Sequence, residues 1–170
     1  MANNFNFKKI YDLDFGFFAL IDPDRKNDDI LDDIINSINN NNFSAVLVGG
    51  SSIHDDNYSK RLKKIKKHIN KPIILFPGDS KQISKHADAI LFMSLLSGRN
   101  PKYLIDEPVK GVELIRKYDL YAIPTGYFVL GTKNQTEVEK VSNTPPLNPS
   151  DYDNVLFHTL AAQYFGMKFV

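Results

Sequence analysis

The sequence predicts an α/β fold built on a parallel β-sheet. Short apolar runs rich in branched and aromatic residues alternate with amphipathic segments along the 170 residues. Glycine, aspartate, serine and asparagine gather after the apolar runs, where turns are expected. Apolar runs without an alternating polar face are typical of strands in parallel sheets that helices cover on both sides. Repeated strand–helix alternation of this kind indicates an α/β domain.

The first predicted strand covers residues 15–21, which carry no charge, and ends abruptly in the sequence Asp-Pro-Asp at 22–24. A short apolar run that stops at aspartate and proline is typical of a strand buried on both faces. The next segment predicts a helix with Asn27 or Asp28 as its N-cap. Its apolar residues have the spacing of a single helix face, and they are Ile30, Leu31, Ile34, Ile35 and Ile38.

A second strand is predicted at 44–48 and is followed directly by Gly49, Gly50 and Ser51. The helix after it has one apolar face and one basic face, and we expect the basic face to be solvated rather than to bind nucleic acid. The apolar face consists of Tyr58, Leu62, Ile65 and Ile69, and the basic face of Lys60, Arg61, Lys63, Lys64, Lys66 and Lys67. A third strand at 72–76 ends in a Pro-Gly pair.

A fourth strand is predicted at 87–96. About eight residues separate it from the third strand, which is too short for a full helical crossover of roughly ten to twelve residues. We therefore expect a degenerate connection there. A helical pattern then runs from Pro101 to Tyr118, with Pro108 in the first turn of a restarted helix, and a fifth strand lies within 121–130.

The C-terminal part of the chain predicts a long excursion and one more helix. Residues 131–150 are polar and rich in proline, and connections of this length are usually functional or mobile. Ser150 is a candidate N-cap for a helix that stops at Gly166. The apolar stripe of that helix is expected at Tyr152, Val155, Leu156, Thr159, Leu160 and Gln163. Residues 167–170 resemble the start of a sixth strand.

The composition excludes several classes of protein. A hydrophobic content of 42% is enough for a real core, and a net charge of +1 argues against nucleic acid as the main partner. The absence of cysteine excludes disulfides and thiolate metal sites. No apolar run approaches the roughly 18 residues of a membrane span, and the N-terminus lacks a secretory apolar core. We expect a cytoplasmic protein.

Two architectures remain open at this point. A doubly wound open sheet suits a chain of 170 residues. A (β/α)8 barrel needs roughly 200 residues or more, so that this chain would hold five of its units and part of a sixth. In both architectures, ligands bind at the carboxyl ends of the strands.

Asp22 is the best single candidate for chemistry. A carboxylate at a strand end, beside a proline that fixes the local backbone, suits a hard cation such as Mg²⁺. The alternative is that Asp22, or more readily Asp24, caps the following helix. Gly50 and Ser51 follow the neighbouring strand, where glycines allow close approach to a phosphate, although a plain turn is the default. Because adjacent parallel strands end at the same edge, we expect Asp22 and Ser51 to lie side by side.

Three further residues are candidates for contact with a substrate. Tyr127 lies in an apolar strand, so that its hydroxyl needs a buried partner or a ligand, with a core tyrosine as the alternative. Arg99 and Asn100 lie where the fourth strand leaves the sheet. Arg99 could meet an anion or brace the helix that follows. The four histidines share no spacing with acids or serines that suggests a triad or a zinc site.

Taken together, the strand-end motifs resemble the geranylgeranylglyceryl/heptaprenylglyceryl phosphate synthase family, and most closely its bacterial branch. The motifs are ALIDPD at 19–24, VGGSS at 48–52, ILFPG at 74–78, ADAILFMSLLSGRNPKYLI at 87–105 and PTGYFVL at 124–130. The resemblance spans nearly the whole chain.

The resemblance implies a TIM-barrel prenyltransferase that joins a polyprenyl diphosphate of the geranylgeranyl type to sn-glycerol 1-phosphate with Mg²⁺, giving an ether phospholipid precursor. It assigns Asp22 and Ser51 to the metal and Tyr127 to the substrate site. Residues 1–170 would be a single partial barrel domain with the first five βα units and the start of the sixth strand. The catalytic glutamate of the family is expected beyond Val170, so that we expect this chain to be inactive alone. Homo-oligomers and at most peripheral membrane contact are also implied.

Another class of function also fits the residues. A non-catalytic α/β remnant could bind a phosphorylated ligand or a partner subunit, because an open sheet edge favours pairing with another chain. A different phosphosugar enzyme on the same fold is a third reading, since a fold alone does not fix function.

Overall fold

A computed structural model of the chain describes residues 7–12, 16–50, 57–131 and 135–170. Within them, five strands form one sheet in the sequential order β1-β2-β3-β4-β5. They are β1 (Phe18–Ile21), β2 (Ala45–Val48), β3 (Ile73–Leu75), β4 (Ala89–Leu95) and β5 (Tyr121–Tyr127). The first four strands pair in parallel. A doubly wound sheet reverses its strand order at a switch point, whereas a barrel adds each strand beside the last. The sequential order therefore confirms an α/β fold of the TIM-barrel type.

The helices follow the strands as the sequence predicts, with one addition. They are α1 (Leu31–Asn39), α2 (Tyr58–His68), α3 (Glu107–Lys117), α4 (Glu137–Ser142) and α5 (Tyr152–Tyr164). A short 3₁₀ helix occupies Arg25–Ile30, and a single 3₁₀ turn occupies Ser80–Gln82. A π-helical segment, Lys102–Asp106, leads into α3. No helix in the described ranges is long and apolar enough to cross a membrane.

The chain divides into two compact units. The first consists of residues 1–90 and 114–121, and the second of residues 91–113 and 122–170. The prediction of a single domain over residues 1–170 stays a prediction. Each unit is described by itself below.

The core of the first unit is formed by β2 and β3 together with the apolar stripes of α1 and α2. The side chains that lose all or nearly all contact with solvent include Ile35, Val46, Val48, Leu62, Ile65, Ile73, Ile74 and Leu75. Burial of each branched aliphatic side chain contributes about 1.5–3 kcal/mol relative to exposure. These uninterrupted apolar runs are therefore the main reason why the strands form.

The expectation that the first strand is buried on both faces is wrong. Ile21 in β1 is buried, but its neighbour Leu20 is 56% exposed. Successive side chains of a strand point to opposite faces of the sheet. One face of β1 is thus covered, and the other is open in the described part of the chain.

The segment after β1 also differs from the prediction. Asp24, and neither Asn27 nor Asp28, is the N-cap, because its Oδ1 accepts a hydrogen bond of 3.0 Å from the Lys26 amide at the start of the 3₁₀ helix. The reading of Asp24 as a capping residue is therefore confirmed. Asp28 instead forms an ion pair with Arg61.

Arg61 does not belong to the solvated face of α2. Its side chain is 5% exposed, and its Nε and Nη2 atoms donate to the two carboxylate oxygens of Asp28 at 2.5 and 2.7 Å. Its Nη1 atom also donates to the backbone oxygen of Pro23 at 3.3 Å. Arg61 follows Tyr58 by three positions and precedes Ile65 by four, so that it shares their buried face. It joins α2 to the turn after β1.

The connection between β3 and β4 is short, as predicted. Ser80–Gln82 makes a single 3₁₀ turn, which Asp79 caps by accepting a hydrogen bond of 2.9 Å from the Lys81 amide. The degenerate connection is confirmed, and its last residue, Gln82, is buried.

The second unit contains a helix that the sequence analysis missed. Within the predicted excursion at 131–150, α4 begins after Thr136 with a reciprocal capping box. The Glu139 carboxylate accepts from the Thr136 amide at 2.8 Å, and the Thr136 hydroxyl accepts from the Glu139 amide at 3.3 Å. A Thr-x-x-Glu sequence is the signature of this cap, so that the signal was present.

The last helix begins and packs differently from the prediction. Asp151 caps α5 in place of Ser150, because its Oδ1 accepts from the Asn154 amide at 3.2 Å. Tyr152 and Leu156 of the expected buried stripe are exposed, at 79% and 50%. Val155, Thr159 and Leu160 of the same stripe are half-buried, and the fully covered residue of α5 in the described part of the chain is Ala162. The stop at Gly166 is confirmed by its left-handed φ of 81°.

Residues 167–170 approach the last sheet strand as expected for the start of a sixth one. Phe169 forms a parallel bridge with Thr125 of β5. The Gly126 amide donates to the Phe169 oxygen at 2.9 Å.

Candidate functional site

The ends of β1 and β2 place Asp22 beside the Gly49–Gly50 turn. Ile21 pairs with Val48 in the parallel register, and the Gly49 amide extends the ladder by donating to the Ile21 oxygen at 3.2 Å. The two segments that follow therefore leave the sheet at the same edge. The prediction that the first two strands are adjacent is confirmed.

The two carboxylate oxygens of Asp22 have different surroundings. Oδ2 lies 2.8 Å from Nζ of Lys26, in a pair whose Asp22 side chain is 35% exposed. The hydrogen bond and charge of Asp22 raise the pKa of the exposed Lys26 amine. Oδ1 is buried and has no hydrogen-bond partner among the residues that the structure describes. Buried polar atoms nearly always have a partner, so that an orphaned carboxylate oxygen points to a ligand or a neighbour that completes it.

The backbone of Asp22 is fixed where it leaves the strand. Its carbonyl oxygen accepts a hydrogen bond of 2.8 Å from the Asn27 side-chain amide. Pro23, which follows, is fully buried and accepts from Arg61. The backbone from which the carboxylate projects is thus held by contacts from both the 3₁₀ helix and α2.

Gly49 and Gly50 leave no room for side chains. A Cβ atom at Gly50 would lie 2.8 Å from Oδ1 of Asp22, and one at Gly49 would lie 1.8 Å from the backbone oxygen of Phe76. Gly50 therefore allows its backbone to lie against the orphaned oxygen. This close approach is the role that glycine serves where a backbone meets a charged group.

These residues fit a magnesium ion that shares its ligands with a substrate. Among the residues described, no three His, Cys, Asp or Glu side chains converge as a protein-only metal site would require. Mg²⁺ is usually held by one or two carboxylates, with water and substrate phosphates in the remaining positions. Oδ1 of Asp22 fits the role of that single carboxylate. Ser51, the other predicted metal residue, lies outside the described residues, so that its approach to Asp22 stays a prediction.

Replacement of Gly50 by alanine tests how closely this backbone meets Asp22. The new Cβ would displace the flexible carboxylate rather than the backbone, so that we expect a change of no more than about 1 kcal/mol in the free energy of unfolding. We expect the affinity for Mg²⁺ with pyrophosphate to fall roughly tenfold. Calorimetric titration measures the affinity, and urea unfolding measures the stability. An unaltered affinity in a folded Gly50→Ala protein would show that the contact is irrelevant to binding.

The turn after β4 in the second unit holds Arg99 and Asn100. Both ends of the Asn100 amide contact backbone: Nδ2 donates to the Ser142 oxygen at 2.8 Å, and Oδ1 accepts from the Lys102 amide at 3.1 Å. The exposed Arg99 donates to the Gly98 oxygen at 2.7 Å. Both side chains thus shape the turn and the start of the following helix. Their substrate-binding role stays a prediction.

Tyr127 ends β5 in the second unit and is half-buried. Its backbone oxygen accepts from the Leu96 amide at 3.0 Å, which joins the ends of β4 and β5. Burial raises the pKa of the Tyr127 phenol, which keeps it protonated at neutral pH. Next to it, a Cβ at Gly126 would lie 3.1 Å from the Ala162 side chain, so that α5 packs tightly on this strand. The role of Tyr127 in substrate binding stays a prediction.

Lys26 and Gln82 are site residues that the sequence analysis missed. Lys26 follows Asp22 by four positions in a segment rich in charge, where nothing marks it apart from its neighbours. Gln82 donates from Nε2 to the Gly50 oxygen at 2.9 Å, across 32 positions of sequence. A local sequence pattern cannot predict a contact between residues that are so far apart in the sequence.

Comparisons with known proteins identify relatives of this chain. Residues 9–170 match the PcrB family. The geranylgeranylglyceryl phosphate synthase of Flavobacterium johnsoniae is 39% identical over 151 residues, which are 89% of this chain and 62% of the relative. The synthase of the same name from Methanopyrus kandleri is 34% identical over 152 residues, covering 89% of this chain and 63% of the relative.

Two solved structures with similar folds are also synthases of this kind. Wild-type GGGPS from Thermoplasma volcanium superposes with a TM-score of 0.77 at 32% identity, covering 89% of this chain and 62% of that one. (S)-3-O-geranylgeranylglyceryl phosphate synthase from Thermoplasma acidophilum, in complex with its substrate sn-glycerol-1-phosphate, has a TM-score of 0.78 at 28% identity, covering 94% and 64%. The chain spans less than two thirds of the length of each of these relatives. With residues 9–170 matched and the fold shared with the solved relatives, the chain belongs to the PcrB family.

Proposed function

We propose that the protein is a Mg²⁺-dependent prenyltransferase that joins a polyprenyl diphosphate to sn-glycerol 1-phosphate. Family membership supports the reaction class, and the names of the relatives support both substrates. The observation that carries the proposal is the buried Oδ1 of Asp22, which lies without a described partner against the Gly50 backbone. An anionic diphosphate can approach that carboxylate only with a cation between them.

When bound, Mg²⁺ would act as a Lewis acid that neutralises charge on the diphosphate leaving group. Asp22 would hold the ion through Oδ1. Lys26 engages Oδ2 and so leaves Oδ1 as the oxygen directed at the ligand. Gly50, which has no side chain, leaves free the space beside that oxygen that a Cβ atom would fill.

The reaction exchanges one C–O bond for another. The bond between the allylic carbon and the diphosphate breaks, and the hydroxyl at C3 of glycerol phosphate attacks that carbon as it gains cationic character. The diphosphate leaves with the bonding electron pair, and the attacking hydroxyl loses its proton to a base. We expect that base to be the glutamate that the family resemblance implies.

The apolar prenyl chain needs apolar side chains to cover it. In the second unit, Tyr127 and the apolar residues of β4 could form part of that cover, because a half-buried protonated tyrosine presents a largely apolar surface. Cytoplasmic location and homo-oligomeric assembly remain predictions from the sequence.

A transfer assay tests the proposed function. The protein is expressed from its whole gene, purified and incubated with geranylgeranyl diphosphate, radiolabelled sn-glycerol 1-phosphate and Mg²⁺, and the labelled product is extracted into butanol. We expect extractable product that requires Mg²⁺ and disappears with EDTA, and little product from the enantiomer sn-glycerol 3-phosphate. Mg²⁺-dependent binding of pyrophosphate without transfer would favour the non-catalytic module instead. Absence of both binding and transfer would contradict the proposal.

A further inference from the structure

The carboxamide of Gln82 joins the ends of two neighbouring strands. The side chain is 7% exposed and lies at the end of the 3₁₀ turn between β3 and β4. Its Nε2 donates to the Gly50 oxygen at 2.9 Å, beyond the end of β2. Its Oε1 accepts from the Gly78 amide at 3.1 Å, beyond the end of β3. One buried side chain thus satisfies two backbone groups at the edge of the sheet where Asp22 lies.

A carboxamide suits this position because one group needs a donor and the other an acceptor. The Gly50 carbonyl requires an N–H or O–H, and the Gly78 amide requires an oxygen. An ionised glutamate would satisfy Gly78 but turn an oxygen toward the Gly50 carbonyl. Methionine has nearly the same shape and would satisfy neither group. A buried carbonyl or amide that loses its partner is left with the full cost of its desolvation.

Gln82 is itself held in place from α2. The hydroxyl of the buried Tyr58 donates to the Gln82 backbone oxygen at 2.7 Å, and the Gln82 amide donates to the Asp79 oxygen at 3.2 Å. Burial raises the pKa of the Tyr58 phenol, so that it remains a donor throughout the neutral range. The side chain of Gln82 therefore projects from a fixed backbone.

We propose that Gln82 is a positioning residue of the diphosphate site. It fixes the Gly50 peptide, and the Gly50 backbone lies against Oδ1 of Asp22. The position of the turn relative to the carboxylate that would hold the metal is thereby set by a residue that would touch neither the metal nor the diphosphate. This role rests on the proposed function, because that function defines what the site binds.

The test compares the unaltered protein with Gln82→Met and Gln82→Glu. Titration calorimetry measures the affinity for pyrophosphate with Mg²⁺, and the position of the turn is followed without ligand by the amide resonance and hydrogen exchange of Gly50. Gln163→Met, on the exposed part of α5, is the matched control. We expect Gln82→Met to fold, to lose roughly 10- to 100-fold in affinity and to shift the Gly50 resonance, whereas the control changes neither.

Gln82→Glu adds a second measurement, the pH dependence of the affinity, which would not change if Gln82 had a purely structural role. A protonated glutamic acid can donate to Gly50 and accept from Gly78, as the native amide does. Burial raises the pKa of a carboxyl group, so that we expect the affinity deficit of Gln82→Glu to narrow as the pH falls from about 8 toward 6. The deficit of Gln82→Met should not change with pH.

The possible failures are distinguishable. A folded Gln82→Met protein with unaltered affinity, or a Gln82→Glu deficit that is independent of pH, would overturn the positioning role. If the unaltered protein does not bind pyrophosphate with Mg²⁺, the proposed function fails and the assignment of Gln82 to that site fails with it. If the Gly50 resonance nevertheless shifts in Gln82→Met, Gln82 does hold the turn through its hydrogen bonds. The assumed ligand is then what is wrong.

Discussion

Replacement of Asp22 by asparagine is expected to abolish Mg²⁺-dependent binding of pyrophosphate and, with it, prenyl transfer. Asparagine keeps the shape of the side chain but removes the negative charge, and its amide leaves Lys26 without the carboxylate that lies 2.8 Å away. Loss of a group that only supports a metal ligand costs roughly 10- to 100-fold in affinity, so that loss of the ligand itself should cost at least about 100-fold. Calorimetric titration and the transfer assay measure the two effects.

Asp24→Asn is the matched control for Asp22→Asn. It alters an acid two positions away, whose carboxylate caps the 3₁₀ helix through the Lys26 amide. Asparagine is an equally good capping residue, so that we expect little change in either stability or binding. Equal losses of pyrophosphate affinity in the two variants would indicate a general effect of negative charge at this edge of the sheet. Retained transfer in Asp22→Asn would contradict the assignment of the metal.

Gly49→Ala is expected to cause the largest loss of stability of the substitutions considered. The added Cβ would lie 1.8 Å from the oxygen and 2.5 Å from the carbonyl carbon of Phe76. Both atoms are backbone at the end of β3, and the Phe76 amide is bonded to the Val48 oxygen at 2.8 Å. Relief of the clash must therefore separate β2 from β3. Overpacking of a core costs about 1–3 kcal/mol and occasionally more, and we expect about 3 kcal/mol or more here.

Urea unfolding measures this loss as a lower midpoint at a constant slope. Gly166→Ala provides the comparison, because nothing lies within 4 Å of its added Cβ, whereas its φ is 81°. Left-handed backbone costs an alanine about 1–2 kcal/mol. A midpoint for Gly49→Ala no lower than that for Gly166→Ala would show that the strands adjust to the clash.

The sheet could be predicted from the sequence because its strands are continuous apolar runs that are followed by turn-forming residues. Residues 44–48 and 72–76 have no polar alternation and are followed by Gly49 and by Pro77-Gly78, so that length and composition suffice to identify β2 and β3. Asp22 was identified because it ends such a run. The exposure of Leu20 could not be predicted, since the sequence does not show which elements cover each face of β1.

The features that the sequence did not predict are of two kinds. Some depend on contacts between distant segments, and others lie among residues whose pattern indicates a different structure. The prolines at 145, 146 and 149 indicated a loop and masked the capping box that begins α4 at Thr136. Arg61 was grouped with the lysines around it, and its charge concealed its place on the buried face of α2. Gln82 acquires its importance from partners on two other turns, which periodicity does not reveal.

The two-pronged contact between Arg61 and Asp28 has a consequence for sequence divergence in this family. The guanidinium is almost completely shielded from water, and removal of the acid that faces it would leave a charge that is expensive to keep inside the protein. Drift at position 28 should accordingly be accompanied by drift at position 61. Homologues that lack both residues would then carry an apolar replacement at this junction.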